Sequence, residues 1–363
     1  TLSYAEIISP EPVVVTEDDP VARQKDLPRY ALSRKSDSRA IGHGTPDNNL
    51  LGTVTGAPLY SRDVILPDML YGKVVKPSAF EGKIIKTDIA AARASQDVVD
   101  VVVHRENGFI GVVASTFHAL QKAVEKIVVD YELPYGQHQK EIESKLDVMQ
   151  ARKRHELEHE LVSEGNLKTG HAASEHHVSA LYRTSMAAHA AMEPRAAVAD
   201  VRPDGVDIHC GSQDPYFVRG LVAKAIRRDA DEVIVHSRRL GGGFGGRVRC
   251  QAAEEAAVLS AAVGKPVKVQ WSREEEFQNN YYQPAFSHYI EAGVTKDGKI
   301  GYWDHDFVSS PIITGAVPKE LSWITDSIVA DEGTARGSTP PWQTAHRRVR
   351  YADIRTFVPV GAW

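Results

Sequence analysis

Leu240-Gly241-Gly242-Gly243-Phe244-Gly245-Gly246-Arg247 places five glycines around one aromatic side chain. Each glycine loses more backbone freedom on folding than any other residue, so such a run is costly. It suits a place where main chain must approach another group closely or take φ > 0 several times. Upstream, Asp231 to His236 reads as a strand; downstream, Cys250 to Val263 reads as a helix of small residues, ended by Gly264 with Pro266 just beyond. A glycine loop between strand and helix aims backbone N–H groups and the positive end of a helix at an anion. Gly241 to Gly246 is therefore expected to hold a phosphorylated or otherwise oxyanionic cofactor.

The surrounding chain has 363 residues, 42% hydrophobic and 25% charged, with a net charge of −5, which is the composition of a soluble globular protein long enough for two domains. The mild acidity and the lack of a long basic run give no support for a nucleic-acid partner. No apolar stretch approaches the roughly 18 residues that a membrane span needs. Two cysteines, Cys210 and Cys250, speak for buried structural thiols rather than a disulfide framework or an iron–sulfur cluster held by this chain alone. The chain starts at Thr1 without a methionine or signal-peptide pattern and stops at Gly361-Ala362-Trp363. It reads as a processed or split piece whose missing part is a separate chain. The expected compartment is the cytoplasm, or the periplasm where a partner carries an export signal.

Residues 1–45 are polar and proline-interrupted and read as an extended arm. Strands are expected at 57–60, 68–75, 98–103 and 109–114. A helix capped by Ser115 or Thr116 is expected to run to about Val129, its stripe formed by Leu120, Val124, Ile127 and Val128. Strands with a helix on one face suggest an α+β domain over 46–135. Residues 136–171 read as a charged helical linker. Within it, His155-Glu156-Leu157-Glu158-His159 satisfies H-E-x-x-H, which on a helix gives two zinc ligands and a base. Its charged flanks and the absence of a third ligand favour a solvated helix. A second domain is expected over 172–363, with a strand at 177–184, a hairpin across Arg202-Pro-Asp-Gly205 and a helix opened by Asp214 and Pro215. Gln213 then sits at that helix mouth. Strands at 266–271, 289–295 and 300–307 complete it.

Two general loop readings fit unevenly. The phosphate loop G-x-x-x-x-G-K-[ST] fails at Arg247 and Val248. The dinucleotide fingerprint matches at Gly241, Gly243 and Gly246, which leaves an NAD-dependent dehydrogenase as an alternative. A third reading draws on more of the chain. The loop resembles the signature of the molybdenum hydroxylases, the xanthine dehydrogenase and aldehyde oxidase family. His189-Ala-Ala-Met-Glu-Pro194 is similar to the family's H-x-x-M-E-P, and Gly211-Ser-Gln-Asp-Pro215 to its T-Q-x-P. Gly264-Lys-Pro-Val-Lys268, Trp271-Ser-Arg-Glu-Glu275, Gly56-Ala-Pro-Leu-Tyr60 and Leu66-Pro-Asp-Met-Leu70 match further elements of the pattern. Arg273-Glu-Glu-Glu-Phe277 and Tyr282-Gln-Pro284 resemble most the isoquinoline oxidoreductase and aldehyde dehydrogenase branch.

The resemblance implies an α/β-hammerhead domain followed by the first molybdenum-cofactor-binding domain. It implies molybdenum–molybdopterin in the cytosine dinucleotide form, a [2Fe-2S] subunit, and FAD or a cytochrome on a partner. Gln213 would hydrogen-bond an oxygen ligand of molybdenum. The amides of Phe244 and Gly245 would bind the oxo ligand and the start of the pterin, Gly242 and Gly243 would line the approach, and Gly246 and Arg247 would complete the cofactor contact. Val248 would face the substrate, and Glu193 reads either as part of the pocket wall or as a buried structural carboxylate. The reaction implied is oxidative hydroxylation of an aldehyde or N-heteroaromatic carbon with water as oxygen source. No segment matches the family's C-terminal catalytic glutamate, which is expected on a second cofactor-binding chain. Val248 stands where purine-oxidising members carry glutamate, which argues against a purine. A non-catalytic assembly subunit and an N-terminal nucleophile hydrolase acting through Thr1 are further alternatives. His171, His176, His177 and His189 show no ligand spacing, and His189 is expected to be a structural hydrogen-bonding residue.

Overall fold

A computed structural model describes Gly44 and residues 50–104, 108–313, 331–342 and 344–362. The arm expected over residues 1–45, with Thr1, falls outside the described residues apart from Gly44, as does Trp363. The chain divides into two units, residues 1–57 and 58–363. In the first, helix α1 (Leu50–Val54) is followed by a turn in which Ala57 N donates to Gly52 O at 2.8 Å.

The second unit opens with β1 (Leu70–Val75), β2 (Lys83–Asp88), α2 (Ala90–Arg93), β3 (Val98–His104), β4 (Phe109–Ala114), α3 (Phe117–Val124) and β5 (Val128–Glu132). Next come α4 (Gln139–Lys145), α5 (Val148–Arg154), β6 (His159–Glu164), α6 (Leu167–Ala173), β7 (Ser174–Thr184) and β8 (Ala187–Ala188). Then follow β9 (Ala196–Arg202), β10 (Gly205–Cys210), α7 (Pro215–Ile226), β11 (Val233–Ser237), α8 (Gln251–Val263), β12 (Val267–Gln270) and α9 (Arg273–Gln278). The last elements are β13 (Tyr282–Gln283), β14 (Phe286–Thr295), β15 (Ile300–Ser309), α10 (Glu332–Ala335) and β16 (Arg347–Asp353).

A seven-stranded sheet runs β11-β10-β9-β12-β1-β4-β3 and a five-stranded sheet runs β6-β16-β15-β14-β7, with β2–β5 and β8–β13 as small pairs. The mixed α and β content agrees with the sequence reading. The larger sheet joins strands from the two regions read as separate domains: β1 pairs with β12 in parallel, Leu70 opposite Val267. Helix α8 lies on this sheet. Its alanines 252, 253, 256 and 257 are fully buried, and alanine combines the best helix propensity with the closest backbone approach. Leu259 fills dents left by two strand glycines: a Cβ on Gly72 would stand 2.8 Å from its Cδ1, and one on Gly111 would collide with its Cδ2. Cys210 and Cys250 are free, buried thiols of this core.

Local chemistry also changes several boundaries. Residues 57–60 form no strand; Asp63 Oδ2 accepts the N–H of Leu59 (3.1 Å) and Tyr60 (2.9 Å), which closes a turn instead. The helix expected to reach Val129 stops at Val124, because Val128, Val129 and Tyr131 pair with β2 as strand β5. The stretch read as a helical linker is helical in α4, α5 and α6, yet β6 within it pairs with β16. His155 caps α5 in the left-handed region (φ +58) while His159 lies in β6, so the H-E-x-x-H pair shares no helix face. No cluster of metal-ligating side chains occurs among the described residues.

On the five-stranded sheet His288 Nδ1 lies 3.0 Å from His305 Nε2. Burial, with His305 second, lowers His288 from 6.5 to about 4. Its folded value is below its unfolded one, so its contribution to stability is complete above pH ~6.5 and is lost as pH falls toward 4. The denaturation midpoint is expected to drop between pH ~7 and ~4.5, less steeply in His288→Gln; identical slopes would refute this assignment.

Candidate cofactor and substrate site

The glycine loop leaves β11 and enters α8. Gly242 (φ +108), Phe244 (φ +52) and Gly245 (φ +90) all take positive φ. For a phenylalanine this is an outlier, and Phe244 is 60% exposed, so burial does not repay the strain. Space explains two more glycines. A Cβ on Gly243 would stand 2.6 Å from Gln213 Oε1, and one on Gly246 would stand 2.7 Å from His189 Nδ1.

Gln213 joins this loop to the start of α7. Asp214 caps that helix, its Oδ1 accepting from Phe217 N at 2.9 Å, with Pro215 in the first turn as expected. Gln213 N donates to Arg247 O (3.0 Å), and Gln213 Oε1 accepts from Gly245 N (3.0 Å) and Arg247 N (3.2 Å). Ser212 Oγ donates to Arg247 O at 3.0 Å. The Gly245 amide, expected to face an oxo ligand, is thus taken by Gln213, because the glutamine carbonyl fits the space that Gly243 leaves. The amides of Gly242, Gly243 and Phe244 have no hydrogen-bond partner among the described residues. Three successive unpaired donors, with positive φ at Gly242 and Phe244, are the kind of run that can receive oxygens.

Glu193 and Arg247 hold the loop from behind. Glu193 Oε2 accepts from Gly241 N (2.9 Å), Glu193 N donates to Gly241 O (3.1 Å), and Arg247 Nη2 donates to Glu193 O. Arg247 is 1% exposed, with Nη1 3.9 Å from Glu193 Oε2. Both side chains are braces, turned toward each other by the charge pair: of the two readings of Glu193 the structure has the buried structural carboxylate, and Arg247 was expected as a cofactor contact. His189 Nε2 donates to Ala362 O at 2.7 Å, the structural role expected. His171 and His177 stack at 4.1 Å, away from any such grouping.

Sequence reasoning missed Arg195, which is completely buried. Its Nη2 donates to Gly246 O (3.0 Å), Glu276 Oε1 (3.0 Å) and Asn280 Oδ1 (2.6 Å), and Nη1 donates to Gln251 Oε1. The guanidinium lies 4.7 Å over the Trp271 ring. A signal was present: an arginine directly after Glu193-Pro194 opens the buried apolar strand β9, where an unpaired charge is not tolerated.

Beside the loop lies a cavity of 720 Å³, lined by Gly245, Gly246 and Val248 together with Phe217, Arg249 and Tyr281 among others. Val248 is on its wall; Glu193 is not.

Residues 150–328 match the family model described as "Molybdopterin cofactor-binding domain". A nicotinate dehydrogenase subunit of Pseudomonas putida is 27% identical over 99% of this chain and 30% of its own length. The beta subunit of isoquinoline 1-oxidoreductase of Brevundimonas diminuta is 28% identical over 74% of this chain and 36% of its own. Among solved structures, the aldehyde oxidoreductase of Desulfovibrio gigas superposes with a TM-score of 0.71 at 16% identity, covering 88% of this chain and 39% of that one. Quinoline 2-oxidoreductase of Pseudomonas putida 86 gives 0.68 at 19%, covering 87% and 44%. The chain therefore spans less than half the length of these relatives.

Proposed function

Since this chain carries the molybdopterin cofactor-binding domain of the molybdenum hydroxylase family, we propose that it serves an oxidative hydroxylation of an aldehyde or N-heteroaromatic carbon. The observation that carries this reading is the run of unpaired amides at Gly242, Gly243 and Phe244, directly before the two glycines that line the cavity. Donors fixed in place before a ligand arrives need no reorganisation when negative charge develops, which is how such sites stabilise oxyanions. The donor set fits an oxygen-rich pterin cofactor. Molybdenum–molybdopterin, when bound, supplies the two-electron redox change and the use of water as oxygen source.

The chain's own residues bind and orient. The three amides receive oxygens, and the exposed Gln213 amide NH₂ has no partner among the described residues and is placed to donate as well. Val248 gives the substrate an apolar wall. The relatives named for nicotinate and isoquinoline support an N-heterocycle as one substrate class, and the aldehyde oxidoreductase supports the other. The finer assignments belong to the same proposal. They are the cytosine dinucleotide form, a second cofactor-binding chain with the glutamate base, a [2Fe-2S] subunit with FAD or a cytochrome beyond it, a hammerhead domain over 46–135 and a cytoplasmic complex. Among the described residues no helix is long and apolar enough to cross a membrane.

Metal analysis of the co-purified assembly tests the reading. Molybdenum is expected at one equivalent per chain, and Gln213→Ala is expected to lower turnover by on the order of 10²–10³. A nicotinamide difference spectrum without molybdenum would favour the dehydrogenase. Unchanged turnover and metal content in Gln213→Ala would favour a purely structural loop.

A further inference from the structure

We infer that Arg249 is the donor that binds a carboxylate on the substrate, so that the molecule oxidised is an anionic ring compound, an aromatic aldehyde or N-heterocycle bearing an acid group. This rests on the proposed function and adds the charge of the substrate to it.

Arg249 follows Val248 and lines the 720 Å³ cavity; it also lines a neighbouring one of 410 Å³, the two sharing Phe80, Glu81, Arg249, Tyr281 and Pro359. Its guanidinium lies 4.9 Å over the Tyr281 ring, which leaves the planar edge of the fork to face another group. Its ion pair is poor: Arg249 Nε stands 3.8 Å from Glu254 Oε1, too far for a hydrogen bond. Both atoms are buried and have no hydrogen-bond partner among the described residues. The Arg249 side chain is 30% exposed, so its charge is weakly compensated by the protein and open to an anion entering the cavity. Burial also pushes the Glu254 carboxyl up, against the opposing pull of Arg249, which weakens the pair further.

The nearby cations are committed elsewhere. Arg195 serves Glu276 and Gly246 O, Arg247 serves Glu193, and Arg355 has its own interaction. The Asp214 carboxylate on the same cavity wall is occupied by the Phe217 amide. A flat ring against Val248 and Phe217 places an acid group beside the part of the Arg249 guanidinium that is open to the cavity. A carboxylate matches the fork with two parallel hydrogen bonds. A cofactor phosphate shares the oxyanion chemistry, and the experiment separates the two sources.

The test uses the complete assembly with two matched pairs, nicotinate against nicotinamide and 3-formylbenzoate against 3-formylbenzamide. The wild-type enzyme is expected to prefer the acid of at least one pair in kcat/KM. Arg249→Gln is expected to reduce that preference by on the order of tenfold to a hundredfold, the range for one charge-assisted contact. Arg249→Lys, which keeps charge but not the fork, is expected to restore part of it. Calorimetry with benzoate provides a readout independent of turnover, and its dissociation constant is expected to rise by a similar factor in Arg249→Gln. A wild-type enzyme with no preference for the acids would overturn the assignment. So would Arg249→Gln that loses molybdenum and pterin while it binds benzoate as tightly as the wild type, which would assign Arg249 to a cofactor phosphate. An assembly that contains no molybdenum and oxidises none of the four compounds would sink the proposed function, whereas benzoate binding would still report on Arg249.

Discussion

Gly243→Val is expected to strip the assembly of molybdenum and to leave turnover lower by on the order of 10³. The cause is local and steric. A Cβ at this position would meet Gln213 Oε1 at 2.6 Å, Cδ at 2.7 Å and Cγ at 3.1 Å. That is the body of the side chain rather than its free end, so the glutamine must leave. When it leaves, the amides of Gly245 and Arg247 lose their acceptor. Both residues are buried, and each orphaned donor costs about 1–3 kcal/mol. The positive-φ turn that aims the amides of Gly242, Gly243 and Phe244 then loses its brace, and the run of donors with it. A distant glycine gives the control. Gly298, in the turn between β14 and β15, has φ +79, and a Cβ added there would have nothing within 4 Å, so Gly298→Ala brings backbone strain without steric conflict. It is expected to lower the melting temperature slightly and keep the metal. Equal metal content in Gly243→Val and wild type would show that Gln213 does not shape the site.

Much of this loop was legible in the sequence because its causes are local. A five-glycine run between a strand and an alanine-rich helix reports positive φ and close approach whatever surrounds it. Asp214-Pro215 and the Gly264 helix end report themselves in the same way, through caps that need only neighbouring residues. The hairpin across Arg202 to Gly205 is equally short-range, and it formed as read. Pairings between distant segments were not legible. Nothing in Lys83 to Asp88 announces a strand until β5 supplies its partner, and β6 reads as charged linker until β16 lies beside it. The joining of β1 to β12 links residues nearly two hundred positions apart, so a boundary drawn between two domains by composition shows no trace of it. Glu193 illustrates the same limit at the site. Its acidity and place beside the loop are visible in the sequence, but its direction is set by Arg247 and the Gly241 amide, so only the structure distinguishes a brace from a pocket wall.

The buried charge missed from sequence carries the second large expectation. Arg195→Met is expected to destabilise the protein by about 3–5 kcal/mol, because removing one partner leaves Glu276 as an uncompensated buried charge. Arg195 is 0% exposed and Glu276 2%, so water cannot replace the lost partner cheaply. At roughly 2–4 °C per kcal/mol for a domain of this size, the melting temperature should fall by about 10 °C. The double variant Arg195→Met with Glu276→Met tests the cause. It removes both charges, and since apolar replacements of a buried pair are often neutral, it is expected to recover most of that fall. Metal content is expected to behave differently. Gly246 O accepts its 3.0 Å hydrogen bond from Arg195, which fixes the rear of the glycine loop, and no methionine can donate to it. The double variant should therefore regain stability while still binding molybdenum poorly, separating the electrostatic role of Arg195 from its positioning role. If stability and metal content recover together, the Gly246 contact contributes nothing to the site. If neither recovers, the shape of the guanidinium over Trp271, rather than its charge, is what the fold requires.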